Sequence, residues 1–192
     1  MQRRMKTLVF TLLLIVGYNV QAAKNFDVAV ADNQILMVEL EDAQEGDLLT
    51  LLDVEGKVLF KDAHLNNKFQ KSLSLELVPD GTYFLHLEDE NSIYAKEIEK
   101  KNNTITVKRD SQIFFKPNFK QIDKQVKVSF TNPDQKNIQV YVFDANGEVV
   151  TNIVNNDLVL KKTFDFSAVP AGDYMLAVFS GDRSYYRTVS TK

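Results

Sequence analysis

The side chains best suited to metal binding or acid–base chemistry in this sequence are its two histidines, His64 and His86. A metal site needs several ligands at defined spacing, and neither histidine has a cysteine or second histidine nearby. The internal repeat described below places Asn155 and Ala177 at the corresponding positions of its second copy, so the fold requires neither imidazole. We therefore predict two ordinary surface histidines, no metal site and no catalytic triad.

Carboxylates are densest between Glu39 and Asp47, where five acidic side chains surround Gly46. Calcium is bound by such oxygens, but only when they converge at fixed positions of a loop. Glycoside hydrolysis needs two carboxylates held at a set separation across a cleft, and no spacing in this chain defines one. Because runs of charge usually face water, we predict a solvated loop between strands.

Motifs of the common enzyme classes are missing from the sequence. It contains no Gly-x-Ser-x-Gly elbow, no His-Glu-x-x-His pair and no glycine-rich phosphate loop. Of the six glycines after residue 22, four lie in repeated turns: Gly56, Gly81, Gly147 and Gly172. We therefore expect a protein that is not an enzyme and that binds no cofactor.

The elements that position these side chains occur in two copies. The motif Val-Pro-x-Gly-x-Tyr spans residues 78–83 and again residues 169–174, a shift of 170 − 79 = 91. The same shift carries Tyr94 onto Tyr185 without a gap. Proline fixes its own φ and glycine permits a positive φ, so each motif predicts a turn that ends a strand.

Short alternating apolar runs, without a sustained helical period, fill the chain between Phe26 and Val189. Turn signals separate them, among them an Asp-x-x-Gly turn at residues 53–56 that is repeated at 144–147. About seven short antiparallel strands per copy are typical of a β-sandwich. We predict an all-β fold of two tandem immunoglobulin-like or fibronectin III-like antiparallel sandwiches, with an open β-barrel as the alternative.

A secretory signal peptide is predicted at residues 1–22. Three basic residues precede an apolar run from Leu8 to Val16, which is too short to span a bilayer with stable flanks. Small side chains at Val20 and Ala22 favour cleavage after Ala22, with cleavage after Ala23 and an uncleaved anchor as alternatives. The predicted domains are then the signal peptide at 1–22, a first sandwich at 23–103 and a second at 104–192.

Composition narrows the environment and the partners. Of the 192 residues, 44% are hydrophobic and 26% are charged. This balance is typical of folded soluble proteins. Without residues 1–22 the chain has 20 basic and 26 acidic side chains, a net charge of −6, which does not suit nucleic acid binding. It has no cysteine, hence neither disulfides nor a lipid-bearing cysteine. We expect a secreted, periplasmic or cell-surface protein that does not span the membrane once processed.

Some strands carry apolar side chains on both faces, although one face suffices for a sandwich core. The second face either packs against the other unit or forms a binding surface for a protein or another cell-surface component. The sequence has no tryptophan, which disfavours a sugar platform but leaves tyrosine stacking open. The candidate interaction surface consists of Phe84, Tyr141, Phe143, Phe179, Tyr185 and Tyr186.

The second copy carries a pattern that points to a family. It comprises the run from Val140 to Asp144, then Gly147, Val149, Val150, Phe164, Phe166, Val169, Gly172, Tyr174 and Leu176. This pattern resembles the immunoglobulin-like C-terminal sorting domain of type IX secretion substrates in Bacteroidota, and related small secreted proteins of that group. The resemblance covers the stretch from Val140 to the end of the chain and, through the repeat, a similar stretch of the first unit. It implies a sandwich fold and a sorting function in the terminal domain.

Three functions follow as hypotheses, in order of preference. The first is a non-enzymatic, secreted binding or scaffolding protein of the cell envelope that uses exposed sheet faces and loops. The second is a sorting and attachment signal in residues 104–192. The third is a small hydrolase, which would require convergent polar groups in a deep pocket.

The predicted cleavage site is directly testable. We expect the exported protein to begin at Ala23, because the peptidase needs small side chains at Val20 and Ala22. Intact-mass spectrometry of protein recovered outside the cytoplasm checks this. A start at Lys24 would select the alternative site, and a mass that includes residues 1–22 would contradict cleavage.

Overall fold

The computed structural model describes residues 25–191, and the predicted signal peptide lies outside these residues. The described chain consists of β-strands and connecting turns, and none of it is a helix that could cross a bilayer. The strands of the first unit are β1 Phe26–Asp32, β2 Ile35–Glu41, β3 Leu48–Asp53, β4 Val58–Asp62, β5 Lys68–Ser74, β6 Gly81–Glu88, β7 Ser92–Lys101 and β8 Thr104–Phe115. Those of the second unit are β9 Asn118–Ile122, β10 Gln125–Thr131, β11 Ile138–Phe143, β12 Val149–Asn155, β13 Val159–Asp165, β14 Asp173–Ser180 and β15 Arg183–Ser190.

Four antiparallel sheets are arranged as two pairs. The first unit has a sheet of order β1-β2-β5 and one of order β4-β3-β6-β7-β8. The second unit has the orders β9-β10-β13 and β12-β11-β14-β15. In both units one strand, β5 or β13, crosses to the smaller sheet, which is how immunoglobulin-like and fibronectin III-like sandwiches are connected. The predicted all-β sandwich fold is confirmed.

Each pair of sheets encloses its own hydrophobic cluster, because alternate side chains of every strand point inward. The first cluster includes Leu36, Leu85 and Ile98, all fully buried. The second includes Ile138 and Leu176, also fully buried. Leu85 and Leu176 are related by the shift of 91 positions, so the repeat in sequence is also a repeat in structure.

The Val-Pro-x-Gly-x-Tyr motif ties a turn to the strand that follows it. The Tyr83 hydroxyl donates a hydrogen bond to the Pro79 carbonyl oxygen at 2.6 Å, and the Tyr174 hydroxyl donates to that of Pro170 at 2.7 Å. A tyrosine corner of this kind is a feature of immunoglobulin-like sandwiches. The motif's glycines are not among those with positive φ, so the predicted role of glycine here is wrong. Its tyrosine, rather than its glycine, holds the turn.

The Asp-x-x-Gly turns are as predicted. Gly56 and Gly147 both have a positive φ, in the left-handed region that favours glycine. In the first turn, Asp53 Oδ1 accepts hydrogen bonds from the backbone N–H groups of residues 55 and 57. Asp144 does the same for residues 146 and 148. The aspartate therefore closes the turn with its side chain in both copies.

Strand β8 begins at the predicted division between the units and pairs with the sheet of the first unit. Asn102 and Asn103 both have a positive φ, as in the two-residue hairpin turns of type I′. The chain then returns along β7 for the length of β8. Ile105 lies in the first cluster, whereas Phe115 packs against the second. The predicted division at residues 103 and 104 thus coincides with this turn, and the domain boundaries themselves stay a prediction.

The end of β7 contains a buried lysine. Lys100 is only 4% exposed, and its Nζ donates to the carbonyl oxygens of Leu75 and Val78 at 2.7 Å and of Glu76 at 3.3 Å. These three acceptors match the three N–H groups of the ammonium. The corresponding residue of the second unit, Thr191, is also buried and bonds to the turn of that unit. Both units therefore hold this turn from the strand that ends beside it.

Removal of either corner hydroxyl should destabilise the fold. We expect Tyr83→Phe and Tyr174→Phe each to lower the free energy of unfolding by about 1 kcal/mol, because the proline carbonyl loses its donor while the ring still packs. Urea unfolding followed by circular dichroism measures the change. Tyr141→Phe is the matched control, since the hydrogen bond from its hydroxyl to Gln139 Oε1 is exposed and long, at 3.5 Å. Equal stability of all three variants would contradict the structural role of the corner.

Candidate interaction surface

Four aromatic rings form a continuous row on the outer face of the sheet β12-β11-β14-β15. We call Tyr141, Phe143, Phe179 and Tyr186 the aromatic row. Tyr141 stacks on Phe143 with ring centroids 5.8 Å apart and meets the edge of Phe179 at 5.8 Å. Phe179 in turn meets Tyr186 at 6.1 Å with nearly perpendicular rings. These offset and edge-to-face arrangements are the favourable ones for aromatic pairs.

Strand alternation and register place the rings. Val140 and Val142 of β11 are buried, so the residues between and after them, Tyr141 and Phe143, must point outward. Tyr141 lies opposite Ala177 of β14, which lies opposite Tyr186 of β15. Ala177, which has only a methyl group, is fully buried at this position between the two tyrosines in the register.

Tyr141, Phe143 and Phe179 are half-buried, and more exposed side chains lie beside them. Tyr186 is 57% exposed, and Met175, which lies opposite Phe143, is 38% exposed. On the neighbouring edge strand β12, Val154 is 59% exposed. The outer face of this sheet therefore carries apolar side chains on all four strands, with polar residues such as Asn152, which lies opposite Tyr141, among them.

The first unit shows that the fold does not require these rings. At the corresponding positions it carries Thr50, Leu52, Glu88 and Ala95. The register agrees, since Thr50 lies opposite His86, which lies opposite Ala95. The corresponding positions thus accept side chains without rings, and the aromatic row is a property of the second unit alone.

Two of the six predicted surface residues lie elsewhere. Tyr185 packs against Phe130 at 6.2 Å and donates its hydroxyl to the Phe115 carbonyl oxygen at 3.1 Å, on the side of β15 opposite Tyr186. Burial raises the pKa of Tyr185. Phe84 lies on the first unit, 6.4 Å from His86. The pair Tyr185 and Tyr186 therefore cannot form one stacking platform, and the structure brings together only the aromatic row.

The contact between the units contains a cation that sequence reasoning missed. The guanidinium of Arg183, at the start of β15, lies 3.6 Å from the ring centroid of Phe114 at the end of β8. Its Nε is buried without a hydrogen-bond partner, as expected for a guanidinium that stacks on an aromatic face. The first unit has Ser92 at the corresponding position, so the repeat gave no signal for this contact.

The two histidines differ in environment. His64 is exposed, with Nδ1 3.9 Å from Asp62 Oδ1. His86 is half-buried, unlike the predicted surface histidine, and its pKa is lowered by burial and then by the charge of Arg183, which Glu88 partly opposes. Within residues 25–191 no group of three or more His, Cys, Asp or Glu side chains could hold a metal ion.

Of the five carboxylates predicted to lie in a solvated loop, four are exposed, two of them on β2, and one is buried. Asp47 is only 4% exposed, and its Oδ2 accepts a hydrogen bond from the backbone N–H of Gln44 at 2.8 Å. The carboxylate therefore closes its own turn. An open depression of about 310 Å³ adjoins it, between this loop and the turn that follows β6.

Acid should weaken the fold through His86. The pKa of His86 in the folded protein is lowered from the usual value of about 6.5. As the pH falls through that value, the unfolded chain therefore binds more protons at His86 than the folded chain does, and stability is lost. We expect stability to decrease between about pH 7 and pH 5.5, and His86→Ala, the residue of the second unit, to lose less stability over this range. Urea midpoints at the two pH values measure the effect. His64→Ala is the control and should follow the wild type, whereas an identical loss in His86→Ala would refute the assignment.

Comparison with known proteins identifies the family. The model of the family described as the secretion system C-terminal sorting domain matches residues 31–108 and 122–192. The two segments together span 149 of the 192 residues, and each corresponds to one structural unit. No curated protein matches the chain.

Solved structures with a similar arrangement are distant. The BSP domain of a biofilm-associated protein is 15% identical with a TM-score of 0.28, and the alignment covers 86% of this chain but only 29% of that one. The FN1–FN3 domains of chicken CNTN1 are 10% identical with a TM-score of 0.29, covering 85% and 65%. The human OSCAR ligand-binding domain is 7% identical with a TM-score of 0.26, covering 87% and 97%.

These structural likenesses add nothing to the sandwich fold already described, so the family assignment depends on the sequence match. That match falls on the same residues that carried the predicted resemblance and, in addition, on their repeat in the first unit. Proteins sorted in this way are exported to the cell surface or released. The resemblance is therefore confirmed, and the chain belongs to the family of type IX secretion C-terminal sorting domains.

Proposed function

We propose that this protein is a non-enzymatic binding or scaffolding protein of the cell envelope, and that the aromatic row is its binding surface. The observation that carries the proposal is the row itself, which consists of four contiguous rings, accessible from outside, at positions where the other unit has none. In this proposal the protein acts at the cell surface or outside the cell, and passes through the periplasm on the way.

Energetics supports the proposal. Contiguous apolar area on a soluble protein favours association, because its removal from water contributes about 25 cal/mol per Å². The rings also support one another, so a partner would meet a surface that is already ordered. A partner that covers Tyr186 and Met175 would bury the most exposed part of the row.

The chemistry of the row favours a protein partner over a sugar. Tyrosine, phenylalanine and methionine are the side chains that are enriched in the cores of protein interfaces. The row crosses neighbouring strands of a sheet and contains no tryptophan, the ring that sugar platforms favour. A cell-surface protein therefore fits the aromatic row best.

Exchange of residues between the two units gives a direct test. Tyr141→Thr combined with Tyr186→Ala installs the side chains of Thr50 and Ala95, which the corresponding sheet of the first unit already accommodates. The measurement is the binding of fluorescently labelled protein, residues 23–192, to washed cells in which the gene for this protein has been deleted. We expect the double variant to bind these cells with a dissociation constant at least tenfold higher than the wild type, as for loss of a central aromatic contact worth about 1.4 kcal/mol or more.

The matched control for this test is Phe84→Met, which installs in the first unit the residue of the second and leaves the aromatic row intact. It should bind cells like the wild type. Undiminished binding of the double variant, with circular dichroism showing that it is folded, would rule out the row as the binding surface.

A second function, sorting and attachment through the second unit, is favoured by the family match to residues 122–192. A reporter enzyme inserted between residues 22 and 23 of the full chain tests it against the same fusion ending at residue 115. This cut removes the second hydrophobic cluster and retains β8 with the complete first unit. We expect the full fusion at the cell surface and the shortened one in the periplasm. Surface display of both would assign sorting to the first unit instead.

A further inference from the structure

The two units carry opposite charge. Residues 23–115, which include all strands of the first unit, have 18 acidic and 10 basic side chains, a formal net charge of −8, whereas residues 116–192 have 8 acidic and 10 basic side chains, a net charge of +2. With opposite net charges, each part of the chain attracts partners of the opposite sign. Part of this charge lies on the smaller sheet of each unit.

The smaller sheet of the first unit has an acidic outer face. Asp27 of β1 lies directly opposite Glu39 of β2, and Glu41 follows on the same face of β2. Glu39 accepts a hydrogen bond from Gln70 Nε2 at 2.7 Å, and Glu41 accepts one from Asn25 Nδ2 at 2.9 Å. We call Asp27, Glu39 and Glu41 the acidic face.

One lysine lies within reach of the acidic face. Lys68, the first residue of β5, is opposite Glu41, and the salt bridges of the described residues include no ion pair between them. In the sheet register of residues 25–191, the pair Asp27 and Glu39 has no cation opposite it. The acidic face therefore retains its negative charge.

The smaller sheet of the second unit has a basic outer face. Lys127 of β10 lies directly opposite Lys120 of β9, and Lys161 of β13 lies opposite Ser129, the next outward residue of β10. We call these three lysines the basic face. All three are exposed, and an open depression of about 320 Å³ lies among them. The nearest carboxylate in register, Asp165, is opposite Gln125 and bonded to it at 3.1 Å.

Both faces contain like charges directly opposite each other across a strand pair. Such pairs destabilise a sheet. The cost occurs on the same sheet of both units with opposite sign, at Asp27 with Glu39 and at Lys120 with Lys127. Contact with a face of the opposite charge would remove the repulsion on both sides at once.

We propose that the basic face of one molecule binds the acidic face of a second copy, so that copies associate head to tail. The two faces are different surfaces of the chain, so the contact is heterologous. After one contact forms, each molecule retains an unused face of the opposite kind. Contacts of this type produce open chains rather than closed dimers unless the geometry closes a ring.

A single contact is weak. Three strands about 4.8 Å apart and about 20 Å long give each face about 300 Å², well below the roughly 800 Å² per partner of a stable complex. The net charge of −6 without residues 1–22 also repels copies. Association therefore needs low salt or high local concentration, and molecules attached to one surface have the latter.

Sedimentation of residues 23–192 tests the proposal. At an ionic strength of about 20 mM we expect the weight-average mass to rise at least twofold as concentration increases to about 1 mM, and to return to that of the monomer in about 0.5 M salt. A mass that stays monomeric at low salt would overturn the proposal, as would association that salt does not weaken.

Charge reversal identifies the faces. Lys120→Glu with Lys127→Glu makes both faces acidic, and Asp27→Lys with Glu39→Lys makes both basic. Each double variant alone should stay monomeric, whereas an equimolar mixture should associate again, because acidic faces then meet basic ones. Association of either variant alone at the wild-type level, or failure of the mixture to associate, would contradict the pairing of these two faces.

Matched controls separate the faces from net charge. Lys57→Glu with Lys61→Glu changes the net charge as the first double variant does, at exposed positions on and next to β4. Glu55→Lys with Glu148→Lys matches the second, at exposed turn positions. Association of these controls supports the proposal, and their loss of association to the same extent as the face variants would refute it. Circular dichroism confirms that each variant is folded.

Discussion

Burial of every second side chain in the central strands determines what the rest of this molecule can present. In β11 and β14 the inward residues, among them Val140 and Leu176, are fully buried. Their neighbours must then point away from the core, whatever their chemistry. Rings on the large sheet of the second unit and charges on the two small sheets are exposed for this one reason. The cores fix the orientation, and the outward residues are free to differ between units.

Differences between the two units distinguish the residues that hold the backbone from those that are free to carry a function. Features shared by both copies, namely the tyrosine corner and the Asp-x-x-Gly turn, hold the backbone. Features present in only one copy, such as the aromatic row and the sign of charge on the small sheet, are not needed for folding. Both proposals depend on features of this second kind. A duplicated chain is in this respect its own control.

Much of the fold was predictable from the sequence, because the repeat and strand alternation are local patterns. The inward residues Tyr83, Leu85 and Leu87 follow directly from a period of two. Strand β8 was not predictable in the same way. Its turn is Asn-Asn without glycine, and its polar middle resembles a linker until its pairing with β7 is known.

The candidate site was predictable in part. Alternation places Tyr141, Phe143 and Phe179 outward, but it also places Tyr185 and Tyr186 on opposite faces, and only the register decides which of them joins the row. The contact of Arg183 with Phe114 joins residues far apart in sequence, and no local pattern encodes it. Tertiary packing supplied what the sequence pattern lacked.

Strand β8 gives the two large sheets different borders. In the first unit it lies along β7 and satisfies the main-chain groups on that side. In the second unit, β15 has the corresponding position, and β14 is its one partner in the described chain. β15 is therefore an edge strand of its sheet, and of its outward main-chain groups the Ser190 carbonyl oxygen accepts a hydrogen bond from Gln121 Nε2 at 3.0 Å. In the first unit the corresponding edge is displaced by one strand, to the outer side of β8, so an equivalent backbone edge lies beside different side chains in the two units.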